Sequence, residues 1–199
     1  MAHDLNLMFE GQLRTLFERL EAVFDSGYSR RIVDELQKQR LPVLLKAAEL
    51  DSANNGTLFV PVLSFSEVLT PDAMMRMVWH GSRIGYSYLS IIDTASFGAN
   101  KRPPYYIFGV DDGTLTAGMA YDKASNFLRK QDRKFLRPQE LVSLAIHKSV
   151  FLEHNLIAGE LNGNGHYTDL WMDAGAPSFS LIPKSASHPK WKYPSCLIR

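Results

Sequence analysis

His166 and Asp169 stand three residues apart, and His147 and His154 seven apart. Either pairing invites a metal reading. A transition metal needs three or more convergent donors, and no His-Glu-x-x-His motif joins these residues. On a strand, residues three apart face opposite sides, which separates His166 from Asp169. They read as surface or turn residues, and no tightly bound metal is expected. Asp111-Asp112-Gly113 lacks the acidic ladder and distal Glu of a calcium loop and suits a turn at a strand end. No phosphate-binding glycine loop occurs. Gly163-Asn164-Gly165 lacks the third glycine of a dinucleotide fingerprint, and Gly81-Ser82-Arg83-Ile84-Gly85 lacks the central serine of a nucleophile elbow. No cofactor is therefore expected. Cys196 is the sole cysteine, and a lone cysteine commonly serves as a small apolar residue.

Two groupings remain as candidate binding sites. Arg129, Lys130, Arg133, Lys134 and Arg137 crowd nine positions with Asp132 the only acid among them. If the segment is helical, the side chains of Arg129, Lys130, Arg133 and Arg137 gather as one positive surface that could hold an anion. A solvated helix end is the competing reading, since cations also complement the helix dipole. The second grouping lies in the tail, where His166, Asp169, Trp171, His188, Trp191 and Arg199 could line a pocket between a sheet and the C-terminal segment.

Elements must position these residues. From Phe9 the apolar residues Leu13, Leu16, Phe17, Leu20 and Phe24 step by three and four, which predicts a helix over 5–24 with one buried face and Gly27 as its stop. Ser29 is a plausible cap for a second helix through Gln39, and Pro42 suits the first turn of a third. Residues 57–64 read as a strand that Pro61 restricts to an edge or bulge. Thr70-Pro71-Asp72 opens a helix to about Trp79. Residues 86–92 and 105–110 read as strands. Asp122 caps a helix to about Lys130, and Pro138 opens another whose apolar positions run on to Leu152. Residues 156–161 and 166–172 flank Asn162-Gly163-Asn164-Gly165 as a hairpin. Short strands and irregular loops are expected beyond. The order of elements implies an α+β fold, with N-terminal helices packed on a mixed or antiparallel sheet and an irregular β-rich C-terminal tail. One domain over 1–199 suits this length, its helical part in 1–50 and its sheet in 57–199.

Composition sets the outer limits. Hydrophobic residues make up 45% and charged residues 22%, and the net charge is +1. That balance gives no bulk footprint of a nucleic-acid binder, so no nucleic acid is expected. One cysteine cannot form an internal disulfide, and the start Met1-Ala2-His3-Asp4 lacks a signal-peptide pattern. The most apolar short stretch, Leu58 to Leu63, is interrupted by Pro61 and far too short to span a bilayer. A cytoplasmic location without membrane contact is the expectation.

Several C-terminal pieces resemble a known pattern. They are Pro104-Tyr105-Tyr106-Ile107, Val110-Asp111-Asp112-Gly113, Leu136 with Glu140, Ala158-Gly159, Leu170-Trp171, His188-Pro189-Lys190-Trp191 and Ser195-Cys196. Together they resemble a bacterial family known as domain of unknown function 5701. The resemblance covers the second half well and the first half in outline. It implies a bacterial origin and a single domain, and it carries no activity or site. Two function classes follow. The first is a non-catalytic module that meets a protein partner, or a second copy of itself, through the N-terminal amphipathic helix. The second is a small-molecule binder or enzyme with a pocket between the sheet and the tail.

Overall fold

The computed structural model describes residues 4–50, 57–90, 102–149, 154–160, 162, 164–186, 188 and 190–198. Three helices open the chain: α1 (Leu5–Glu21), α2 (Ser26–Gln37) and α3 (Arg40–Leu50). Asp4 starts α1 by accepting from the Leu7 amide at 3.0 Å, which satisfies one of the orphan donors of a helix start. Its buried stripe is Phe9, Leu13, Leu16 and Leu20. Phe17 is only half-buried. Phe24 lies beyond the helix and packs on Tyr28, ring centroids 4.9 Å apart. The expected stop at Gly27 and cap at Ser29 are both corrected. Asp25 caps α2 through the Tyr28 amide, so Gly27 and Ser29 fall inside the helix, and the buried Ser29 hydroxyl donates back to the Asp25 carbonyl. Pro42 sits in the first turn of α3, where its missing amide proton costs nothing.

β1 (Thr57–Val62) follows, then α4 (Pro71–Met75), capped by the Thr70 hydroxyl on the Ala73 amide. Helix α4 ends four residues before the expected Trp79. Met74, Met75, Met77 and Val78 are all fully buried, and past the helix the chain turns into β2 (Trp79–His80) and β3 (Arg83–Ile84), with the Met77 and Val78 amides donating to the Met74 and Met75 carbonyls. β4 (Tyr86–Ser87) is shorter than the strand expected over 86–92, whose last two residues lie outside the described ones. β5 (Tyr105–Val110) pairs antiparallel with β1, and Pro61 is tolerated because β1 is an edge strand of that pair.

α5 (Tyr121–Arg129) begins after Ala120, so Asp122 lies in its first turn and does not cap it. Asp132 then takes a left-handed φ of 52° and reverses the chain into β6 (Arg133–Phe135). The helical spacing assumed for the basic run therefore does not exist. α6 (Pro138–His147) is buried along nearly its whole length, packed among α1, α4 and β1 on one side and the sheet on another. It ends at His147, and the apolar residues expected to extend its face lie outside the described residues. β7 (Leu156–Ile157), β8 (His166–Asp173) and β9 (Ala176–Pro183) build a mixed sheet in the order β4-β9-β8-β7, with β4 parallel to β9 and the rest antiparallel. The tail is thus more regular than expected. Ala174 and Gly175, both at positive φ, make the two-residue turn that joins two eight-residue strands. Even-numbered residues of β8 and their partners, Leu170 with Phe179 and Leu156, face the main core.

β10 (Ser195–Leu197) closes the fold. It pairs with β6, and two hydrogen bonds between Asp111 and Ser195, at 2.9 and 3.0 Å, join it to the end of β5. Arg133 lies buried at this junction. Its guanidinium donates to the Ser195 hydroxyl at 3.0 Å, to the Ser195 carbonyl at 3.1 Å and to the Gly109 carbonyl. Burial lowers the pKa of Arg133 while nearby Asp111 raises it. The architecture is α+β, and no described helix is long and apolar enough to cross a membrane. Replacing Arg133 with Met removes the guanidinium's bonds to the Gly109 carbonyl and to the Ser195 hydroxyl and carbonyl, and should cost about 3 kcal/mol in urea unfolding. An unchanged midpoint would show that the guanidinium does not hold the junction.

Candidate functional site

The β5, β6 and β10 strands splay where α6 begins, and a cleft of about 400 Å³ opens there. Tyr105 and Ile107 share one face of β5, and Leu197 at the end of β10 and Ile198 just past it line the same cleft. Lys134 arrives from β6, Arg137 from the residue before α6, and Arg102 from the segment ahead of β5.

Glu140 forms the floor. It is only 1% exposed, yet three donors satisfy it. The Tyr105 hydroxyl donates to Oε1 at 3.0 Å and Lys134 Nζ to the same oxygen at 3.2 Å, while the Arg137 amide donates to Oε2 at 2.8 Å. The last bond is also why the helix starts here. Glu140 occupies the third helical position, from which a carboxylate reaches back to the residue before the helix, and Pro138 at the first position is preset for helical φ. Burial raises the Tyr105 pKa and Glu140 raises it further, while Arg137 and Arg102 act in the opposite sense. The phenol stays protonated and keeps donating. Arg137 reaches Glu160 only loosely, Nε to Oε2 at 3.8 Å. Glu160 is itself shifted upward, by burial first, with Arg137 opposing.

The two groupings expected from sequence come out differently. Of the basic run, Arg137 lines the cleft, Arg133 is buried in the strand junction, Arg129 is exposed and bonded to Asn126 at 2.9 Å, and Lys130 is exposed past the helix end. The four do not share one surface. Arg133 is the clear correction, since a φ reversal at Asp132 turned it inward. In the tail, Asp169 is buried on β8, accepting from the Ser180 hydroxyl at 2.5 Å and from Asn155 at 3.3 Å; burial raises its pKa and those bonds hold it down. Trp171 lies two residues on along the same face, and its indole nitrogen is buried without a hydrogen-bond partner among the described residues. His166 starts β8 with Nδ1 likewise buried and unpartnered. Trp191 is buried in a cluster with Tyr167 and Tyr193, and His188 is exposed, its Nδ1 accepting from the Lys190 amide. Arg199 lies outside the described residues. None of the other five lines the cleft. Among the described residues, no three His, Cys, Asp or Glu side chains gather as metal ligands would. Cys196 is buried.

Tyr105, Lys134, Glu140 and Arg102 were missed as a group. A Glu three residues after Arg137 signals a helix start, but nothing along the chain tells that its carboxylate meets a phenol 35 residues away. Comparison with known protein families, curated proteins and solved structures finds no match to this chain.

A second cavity of about 480 Å³ lies between α1 and the end of α6, lined by Gly11, Gln12, Arg14 and His147. The His147 Nε2 is buried without a hydrogen-bond partner among the described residues, and burial, with a smaller push from Arg19, lowers the pKa to about 4. An unfolded histidine titrates near 6.5. Between those values the unfolded chain binds the proton that the folded chain refuses, so stability should fall as pH drops from about 6.5 to about 4. His147→Leu should flatten that slope, read from urea midpoints at pH 7 and pH 5. An equal loss in variant and wild type would assign the slope to other groups.

Proposed function

We propose that this protein binds a small molecule in the cleft between β5 and the C-terminal strand. The observation that carries the reading is the state of Glu140. A carboxylate this deeply buried is costly unless it is fully hydrogen-bonded. Here three donors from three elements converge on it, and they brace an open cleft with apolar walls. Its volume lies in the range of small-ligand sites, and its mix of apolar walls with a few placed polar groups is the usual one. Glu140 is locked by its donors and Tyr105 is held protonated, so neither is poised as a general base or nucleophile. The arrangement favours binding over catalysis.

The test is a titration with planar aromatic fragments, neutral and charged, followed by calorimetry. One-site saturable binding is expected. Ile198 is 54% exposed, so Ile198→Ser should leave the free protein's melting temperature unchanged, while trimming the apolar wall should weaken fragment binding about five-fold. Equal affinity in both proteins would place the fragments elsewhere and remove this reading.

A second reading, docking through the N-terminal helices, is favoured by Leu7 on α1 and by Leu41 and Leu45 on α3, exposed at 66%, 69% and 60%. Leu41 and Leu45 are four apart and share a helix face. Sedimentation equilibrium would bear on self-association directly: a dimer that Leu41→Lys with Leu45→Lys dissociates supports it, and a monomer at all concentrations excludes it.

A further inference from the structure

We infer that the cleft selects an oxyanion, a carboxylate or phosphate carried on an apolar body, and that Arg102 and Arg137 hold it; this rests on the cleft being a ligand site. Three cations and one carboxylate line the space. Glu140 already accepts from three donors, so it has little left to offer a ligand's donor groups. Lys134 is committed to Glu140. The positive end of α6 is likewise used internally, since Glu140 takes the first amide there. What stays available to a ligand is the pair of guanidiniums.

Arg102 is exposed and has no ion pair or hydrogen bond among the described residues. Arg137 meets Glu160 at 3.8 Å, Nε to Oε2, beyond hydrogen-bond reach, and its terminal nitrogens make no hydrogen bond among the described residues. Both Arg102 and Arg137 line the one cleft. Two like charges facing one opening repel, and an anion between them relieves the repulsion. Guanidinium forks match the planar pair of oxygens on a carboxylate or the edge of a phosphate. Ile107, Leu197 and Ile198 then cover the rest of the ligand, so an inorganic ion alone leaves the apolar wall unfilled. A neutral ligand leaves the guanidiniums unpaired, and an organic cation meets repulsion from both.

Three matched probes separate the possibilities: 2-naphthoate, 2-naphthyl phosphate and neutral 2-naphthamide, each titrated by calorimetry against wild type, Arg102→Gln, Arg137→Gln and Ile198→Ser. Arg102 is exposed and the amide of residue 137 still caps α6 in the Gln variant, so both should fold, as circular dichroism would verify. The oxyanion probes should bind wild type about ten-fold or more tighter than the amide. Either Gln variant should erase that preference while leaving amide affinity unchanged. The tighter of the two oxyanions names the ligand's head group. If the amide binds as tightly as the oxyanions, or the preference survives both Gln variants, the oxyanion inference is overturned; a continued loss in Ile198→Ser then leaves the cleft as a site for neutral ligands. If no probe binds wild type, the cleft reading falls with it.

Discussion

A buried guanidinium holds the second half of this fold together. Arg133 bonds at once to the carbonyl of Gly109 on β5 and to the hydroxyl and carbonyl of Ser195 on β10. Burying a cation is unfavourable unless its donors are used, and here the acceptors come from strands distant in sequence. The side chain can be satisfied only when β10 lies beside the end of β5. That alignment brings Leu197 and Ile198 to the cleft that Tyr105 and Ile107 also line.

Glu140 plays the complementary part on the other side of the same strands. It is the start of a helix that is almost entirely buried, and its carboxylate ties that start to β5 through Tyr105 and to β6 through Lys134. One buried charge, Glu140, lines the cleft, and the other, Arg133, ties together the strands β5 and β10 that contribute to it. A close backbone approach supports the arrangement. A side chain at Gly159 would lie 2.2 Å from Phe135, so only glycine lets β6 and the segment after β7 pack this tightly, and the Gly159 amide donates to Leu136 just past β6.

What the residues revealed in advance depended on whether the determining contact was local. The stripe of α1 was legible because it carries its own periodicity over many residues, and β5 because its residues are mostly aromatic or β-branched. The α+β class followed from the order of such segments. The basic run misled because Arg129 and Arg133 are four apart, which is helical spacing, while a single non-glycine residue at positive φ, Asp132, broke the helix between them. The β8–β9 hairpin was underread because its turn, Asp173-Ala174-Gly175, carries one glycine where an Asn-Gly pair would have announced it. The cleft itself was out of reach. Its floor is a carboxylate, a phenol and an amine from three elements, and no spacing along the chain encodes their meeting.

The junction at β10 also has a kinetic side. The contact between Thr116 and the Tyr193 carbonyl closes a loop of 77 residues, whereas the N-terminal helices are made mostly of near neighbours in the chain. Long loops cost closure entropy before any contact rewards them, so such pairings form late. The helical layer can assemble early and wait, while the cleft comes into being only when that long loop closes. A molecule that recognises the cleft therefore recognises the finished topology alone, and by binding it draws the population toward the closed chain.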